Sequence, residues 1–192
     1  MNKPATLLEK RNDLTRGLIM DAAYALLRAA SVSALTVRAV AQQAGMSERT
    51  VFRYFPSRDA LLDAVAAQLL EEMALPEPPA TLAALLGAPG ALYGAFEARA
   101  ELTRAVLHTD LVDRVRALQA SSRWKAVAAL LEEAAPEKSE GERRIAVANI
   151  CYHLSASSWH YYRFLFGFTL AESVACSETA LRQALAELGI RA

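Results

Sequence analysis

Between Thr36 and Phe55 the chain sets one glycine, Gly45, between two short helix-forming stretches and closes the second with Pro56. This pattern leaves few folds open. Thr36 is a good N-cap for a helix carrying Val37, Val40 and Ala41. Gly45 accepts the left-handed turn that other residues resist. Ser47 caps a second helix, and the nine residues from Ser47 to Phe55 would span about 13 Å. Pro56 ends it, because the residue before a proline avoids the α region. Val37, Val40, Ala41, Met46 and Val51 stand where they would lock the two helices, with the small Ala41 at their crossing. The segment therefore predicts a helix-turn-helix.

The second helix of this corner points Ser47, Glu48, Arg49, Thr50 and Arg53 outward. Its N-terminal N–H groups suit phosphate and its width suits a major groove. Charge supports that expectation. The chain of 192 residues has zero net charge, but residues 1–58 hold nine basic and four acidic side chains, a net +5, and the remainder carries −5. A basic head on an acidic body points to an anionic partner.

The remainder reads as all-α. Hydrophobic residues make up 54% of the chain, and no run alternates apolar and polar residues as a strand would. Residues 1–12 read as a flexible basic arm. A helix follows from about Asp13 to Ala30, with Leu14, Leu18, Ala22, Leu26 and Ala29 as its apolar face. Ser57 caps a helix reaching about Met73, which serves as a connector over residues 59–75. Pro76, Pro78 and Pro79 mark the start of a second domain, 76–192. There, Gly87 and Pro89-Gly90 are expected to interrupt a helix, Asp110 to Ala134 to form another, Ser139 to Phe166 a single helix of about 42 Å, and Leu170 to Leu188 the last. No apolar run is long enough to span a bilayer, and the first ten residues lack a leader pattern, so a cytoplasmic protein is expected. Cys151 and Cys176 form no CxxC pair, and no metal or cofactor is expected.

Arg16, Ile19, Ala22-Ala23, Leu35-Thr36, Val40-Ala41, Ala44-Gly-Met-Ser47, Thr50-Val-Phe-Arg-Tyr-Phe55 and Ser57-Arg-Asp-Ala-Leu61 follow one another at fixed spacing. In this order they resemble the DNA-binding domain of the tetracycline-repressor (TetR) family. The resemblance implies phosphate contacts from Thr36, Ser47, Tyr54 and Arg58, base reading by Arg49 and Thr50, and backbone roles for Arg38 and Arg53. Phe52 stands where the family often has tyrosine; it either touches a thymine methyl or packs. The implied function is transcriptional regulation, most often repression, by a homodimer on a palindromic double-stranded operator.

A helix that is apolar nearly all round must be covered on both sides, and a partner subunit would cover one of them. The resemblance places the last two helices in a four-helix dimer bundle. Trp159, Tyr162, Phe166, Leu170, Val174, Leu181 and Leu185 are the expected contacts. An effector pocket is expected among Phe96, Arg99, His108, Trp124, Asn149, Tyr152 and His153, whose aromatic share suits a small hydrophobic or aromatic ligand. GxSxG, HExxH and phosphate-cradling glycine loops are all absent from the sequence, so an enzyme is not expected. An adaptor that has lost DNA binding is the alternative; the retained Arg49, Thr50, Tyr54 and Arg58 speak against it.

Overall fold

A computed structural model describes residues 6–29, 35–107 and 111–191. Among these, ten α-helices and one π-helical turn account for the regular structure, and no strand occurs. The expected all-α architecture, an N-terminal helix-turn-helix followed by a helical C-terminal region, is observed. No helix is long and apolar enough to cross a membrane among the described residues.

Helix α1 (Leu7–Ala29) begins earlier than expected. The Thr6 backbone N–H and hydroxyl both donate to Glu9, and Glu9 N–H returns a bond to Thr6 Oγ1. This reciprocal cap satisfies donors at the helix start and places Lys10 and Arg11 on a helix rather than in an arm. Of the apolar face expected, Ala22 is buried and Leu26 packs against the core, but the N-terminal part is not buried. Leu14 and Leu18 are 66% and 46% exposed, whereas Ile19, Met20, Ala23 and Leu27 are buried. Residues four apart advance about 40° around an α-helix beyond a full turn. A row of i+4 leucines therefore winds off the core face.

Helices α2 (Val37–Gln43), α3 (Glu48–Tyr54) and α4 (Arg58–Met73) follow, each opened by a hydroxyl cap from Thr36, Ser47 or Ser57. Ala74 turns left-handed at φ 44° to end α4. Leu61, Leu62, Val65, Ala66 and Leu69 of α4 are buried with Ile19, Val40, Val51 and Phe55, and Leu102, Val106 and Leu111 complete that first core. Met73, at the far end of α4, belongs to a second core with Phe96, Leu131, Ile150, Trp159 and Leu185. One helix thus enters both cores.

The interruption expected near Gly87 and Pro89 is absent: α5 runs unbroken from Leu82 to Ala98 with Pro89 inside it. Leu85, Leu92, Tyr93 and Phe96 bury one face of α5, which packs on α10. Tertiary burial here outweighs the cost of about 3 kcal/mol that proline imposes inside a helix. Helices α6 (Ala100–Leu107) and α7 (Leu111–Ala134) follow.

The single long helix expected from Ser139 to Phe166 is instead three pieces: α8 (Glu140–His153), α9 (Ala156–His160) and a π-helical turn, Tyr161–Leu165. Ser155 accepts from Ser158 N–H and starts a new helix. The carbonyls released by the break find side-chain donors. Tyr93 Oη donates to the His153 carbonyl at 2.8 Å, Ser177 Oγ to the same oxygen at 2.7 Å, and Ser158 Oγ lies 3.0 Å from the Tyr152 carbonyl. Helix α10 (Leu170–Glu187) opens with a reciprocal Thr169–Glu172 cap.

The break rotates the faces of the expected dimer helix. Trp159, Leu181 and Leu185 are fully buried within the protomer and so cannot lie at a dimer surface. Tyr162, Leu170 and Val174 are half-buried and Phe166 is exposed. The exposed face of α8 carries Ile145, Ala148 and Tyr152 at helical spacing.

Candidate nucleic-acid interface and effector cavity

The corner between α2 and α3 is built as a turn of defined hydrogen bonds. Met46 N–H reaches the Ala41 carbonyl at 2.9 Å and Gly45 N–H reaches Gln42 at 3.2 Å. Gly45 sits at φ 65°, where a Cβ would be strained. Val40 and Val51 are fully buried, Ala41 and Phe55 nearly so, and Met46 packs half-buried against them. These contacts fix α3 with its other face outward.

On that outer face Arg49, Phe52 and Arg53 are exposed and Thr50 is half-buried. Arg38 on α2 is exposed too. Thr36 Oγ1 accepts from Ala39 N–H at 3.1 Å. Ser47 Oγ accepts from Thr50 N–H at 3.2 Å and lies 2.9 Å from Thr50 Oγ1. Both capping hydroxyls are exposed beside free helix N–H groups, the environment that attracts phosphate. The Arg53 guanidinium lies over the Tyr54 ring at 5.1 Å, and Arg16 lies over Phe55 at 4.5 Å. Phe52, 44% exposed, presents its ring to solvent rather than to the core.

Two of the expected phosphate contacts are engaged within the chain. Tyr54 Oη donates to Asn12 Oδ1 at 3.1 Å, joining α3 to α1. Arg58 is half-buried and its Nε donates to the Leu35 carbonyl at 2.9 Å. That bond braces the start of α4 against the residue that precedes the Thr36 cap. Arg58 therefore has a structural task that its place in the sequence does not announce.

Residues 19–65, which comprise this corner and its supporting helices, match the model of bacterial regulatory proteins of the tetR family. The chain carries a tetR-family DNA-binding domain, that of a transcription regulator. The comparison with curated proteins found no match.

The regulator's second notable feature is a cavity of about 590 Å³ below the first core, within the size range of sites for small ligands. Met73 of α4, Phe96 of α5, Val106 of α6, Val115 and Trp124 of α7, and Tyr152 of α8 supply its apolar wall. Of the residues expected from sequence, Phe96, Trp124 and Tyr152 come together here. The others do not. Arg99 borders a separate shallow hollow beside Glu72, Asn149 is exposed on α8, and His108 lies outside the described residues. His153, the last residue of α8, is half-buried, its Nδ1 3.1 Å from Tyr162 Oη. Burial there pushes its pKa down, favouring the neutral ring.

Sequence reasoning missed Arg116, Arg123, Thr103, Cys151 and Ser157, which all line the cavity. Arg116 and Arg123 are seven residues apart on α7, two turns along one face, and that spacing was the available signal. Arg116 donates to Ser157 Oγ at 2.8 Å and meets Asp113 at 3.4 Å. Arg123 donates to the Leu154 carbonyl at 3.2 Å, at the α8–α9 break. Burial pushes the Cys151 thiol up to about 11, so it is a packing group rather than a nucleophile.

Proposed function

We propose that this regulator binds a palindromic operator as a homodimer, chiefly as a repressor, and that a small effector with a hydrophobic or aromatic body, seated in the α4–α8 cavity, releases it. The exposed outer face of α3 carries this reading: Arg49, Phe52 and Arg53 are held outward by a buried Val51–Phe55 seam. One α3 reads too few base pairs to be selective, and a twofold axis doubles the site. The apolar outer face of α8, with Ile145, Ala148 and Tyr152, supports pairing with a second copy. The domain plan is a helix-turn-helix head, a connecting α4 and an effector-binding, dimer-forming body.

Coupling between cavity and head has a concrete candidate. Arg114 of α7 is ion-paired with both Asp59 and Asp63 in the first turns of α4. Its neighbours Val115 and Arg116 line the cavity. A ligand that shifts α7 would shift the start of α4, one residue beyond the Ser57 cap. A ligand achieves this only through a difference in affinity between the two states, about 5.5 kcal/mol for a full 1:99 to 99:1 swing.

Sequencing the DNA retained by the purified protein from a random pool tests the operator reading. The expected result is a palindrome whose half-sites lie about one helical turn apart, or a multiple of it. Retention without an enriched palindrome would reject it. On that selected operator, Arg114→Gln should weaken binding roughly 2- to 10-fold with little loss of thermal stability, since exposed ion pairs contribute only about 0–1 kcal/mol each. Unchanged operator affinity would show that the clamp does not position α4.

A further inference from the structure

The cavity joins an apolar wall to two guanidinium groups, and among the described residues no aspartate or glutamate lines it. The two arginines are not equivalent. Arg116 is more than half exposed and already faces Asp113. Arg123 is half-buried, and that burial lowers its pKa, the direction in which desolvation penalises a cation. Among the described residues it meets no carboxylate; its one fixed bond is to the neutral Leu154 carbonyl. Glu77 borders the hollow on the other side of Arg123 but forms no ion pair with it. A guanidinium carries five N–H donors in a planar fork shaped for a carboxylate. A cation drawn partly out of water without its counterion is costly, and the cavity beside Arg123 has room to supply one.

We infer that the effector is an amphipathic monocarboxylic acid, with an aryl or alkyl body against Phe96, Val106 and Trp124 and its carboxylate on Arg123. This rests on the reading of the cavity as the effector site. Arg116 and its Ser157 partner stand at the same wall and add positive potential without being fully desolvated. A neutral ligand of the same shape would gain the apolar contacts and leave Arg123 without its counterion. A cationic one would meet two like charges.

The test uses three probes of nearly one shape, phenylbutyrate, phenylbutyramide and phenylbutylamine, titrated calorimetrically into the full chain near neutral pH. Phenylbutyrate should bind roughly 10- to 100-fold more tightly than the amide, as charge-assisted hydrogen bonds outdo neutral ones, and the amine most weakly. Arg123→Met should reduce phenylbutyrate to the amide's affinity and leave the amide unchanged, while Arg123→Lys should restore part of the difference. Equal binding of acid and amide, or an acid preference that survives in Arg123→Met, overturns the inference. Should Arg123→Met not fold, the three-probe comparison on the native chain decides alone. An amide or amine that binds as well as the acid and releases operator would sink the acid reading while leaving the effector cavity intact. Failure of all three probes to bind would remove both.

Discussion

Arg49→Ala should bind the selected operator far more weakly than the native protein does, and should lose its preference at one base pair in each half-site. Arg49 is exposed at the start of α3, one residue after the acidic Glu48 and next to the Ser47 cap. An arginine at that end of a groove-lying helix can donate two hydrogen bonds to one guanine. A contact of that kind discriminates by about 1–3 kcal/mol, or roughly 5- to 140-fold per half-site. A symmetric dimer suffers the loss twice. The measurement is a gel shift on the selected operator and on variants of each position, repeated on random DNA. Equal loss on both DNAs would reassign Arg49 to the phosphate backbone.

Trp159→Ala is the largest stability change the structure predicts. The indole is fully buried in the second core, with ring centroids 5.3 Å from Phe164 and 5.9 Å from Phe96. Its Nε1–H donates to Glu97 Oε2 at 3.0 Å, and Arg163 Nη2 binds the other oxygen of Glu97 at 2.6 Å. Arg163, aided by that indole donor, holds the Glu97 carboxyl below the usual carboxylate range. Removing the ring opens a cavity and takes one donor from a half-buried carboxylate. Phe or Trp to Ala in a core costs about 3–5 kcal/mol, which corresponds to a fall in Tm of roughly 6–20 °C for a chain of this size. Trp159→Phe should recover most of the packing but not the Glu97 bond. Thermal unfolding followed by circular dichroism checks both variants, and a fall of only a degree or two in Trp159→Ala would contradict the burial described. Because Phe96 is shared with the cavity wall, the same variant should also weaken binding of any ligand there.

The head was legible in the sequence because its rules are local. Thr36, Ser47 and Ser57 each cap the helix that follows within three residues, Gly45 supplies its own turn, and Pro56 ends α3 by its own chemistry. The second half depends on partners distant in the chain. The α8–α9 break is invisible at Ser155 alone; it persists because Tyr93, 60 residues earlier, and Ser177, 24 residues later, donate to the carbonyl of His153. Once that break rotates α9, Trp159 turns inward, and the expected dimer face loses Trp159 just as it loses Leu181 and Leu185 to the core. The same holds for the cavity. Aromatic content pointed to Phe96, Trp124 and Tyr152. Arg123 becomes meaningful only when α7 is seen against Leu154. Pro89 shows the converse: a strong local signal for a break, overridden by the face of α5 that α10 buries.

The arrangement of α4 constrains anyone wishing to transplant the reading head onto another body. Cutting at Arg58, the first residue of α4, would strip Leu61, Leu62, Val65 and Leu69 from beneath the head and leave a sticky, half-made module. A graft that keeps its footing has to carry the whole of α4 to Met73 and bring along apolar side chains that stand in for Leu102, Val106 and Leu111. The reading head and the helical body behind it are joined through α4 like two rooms sharing one beam.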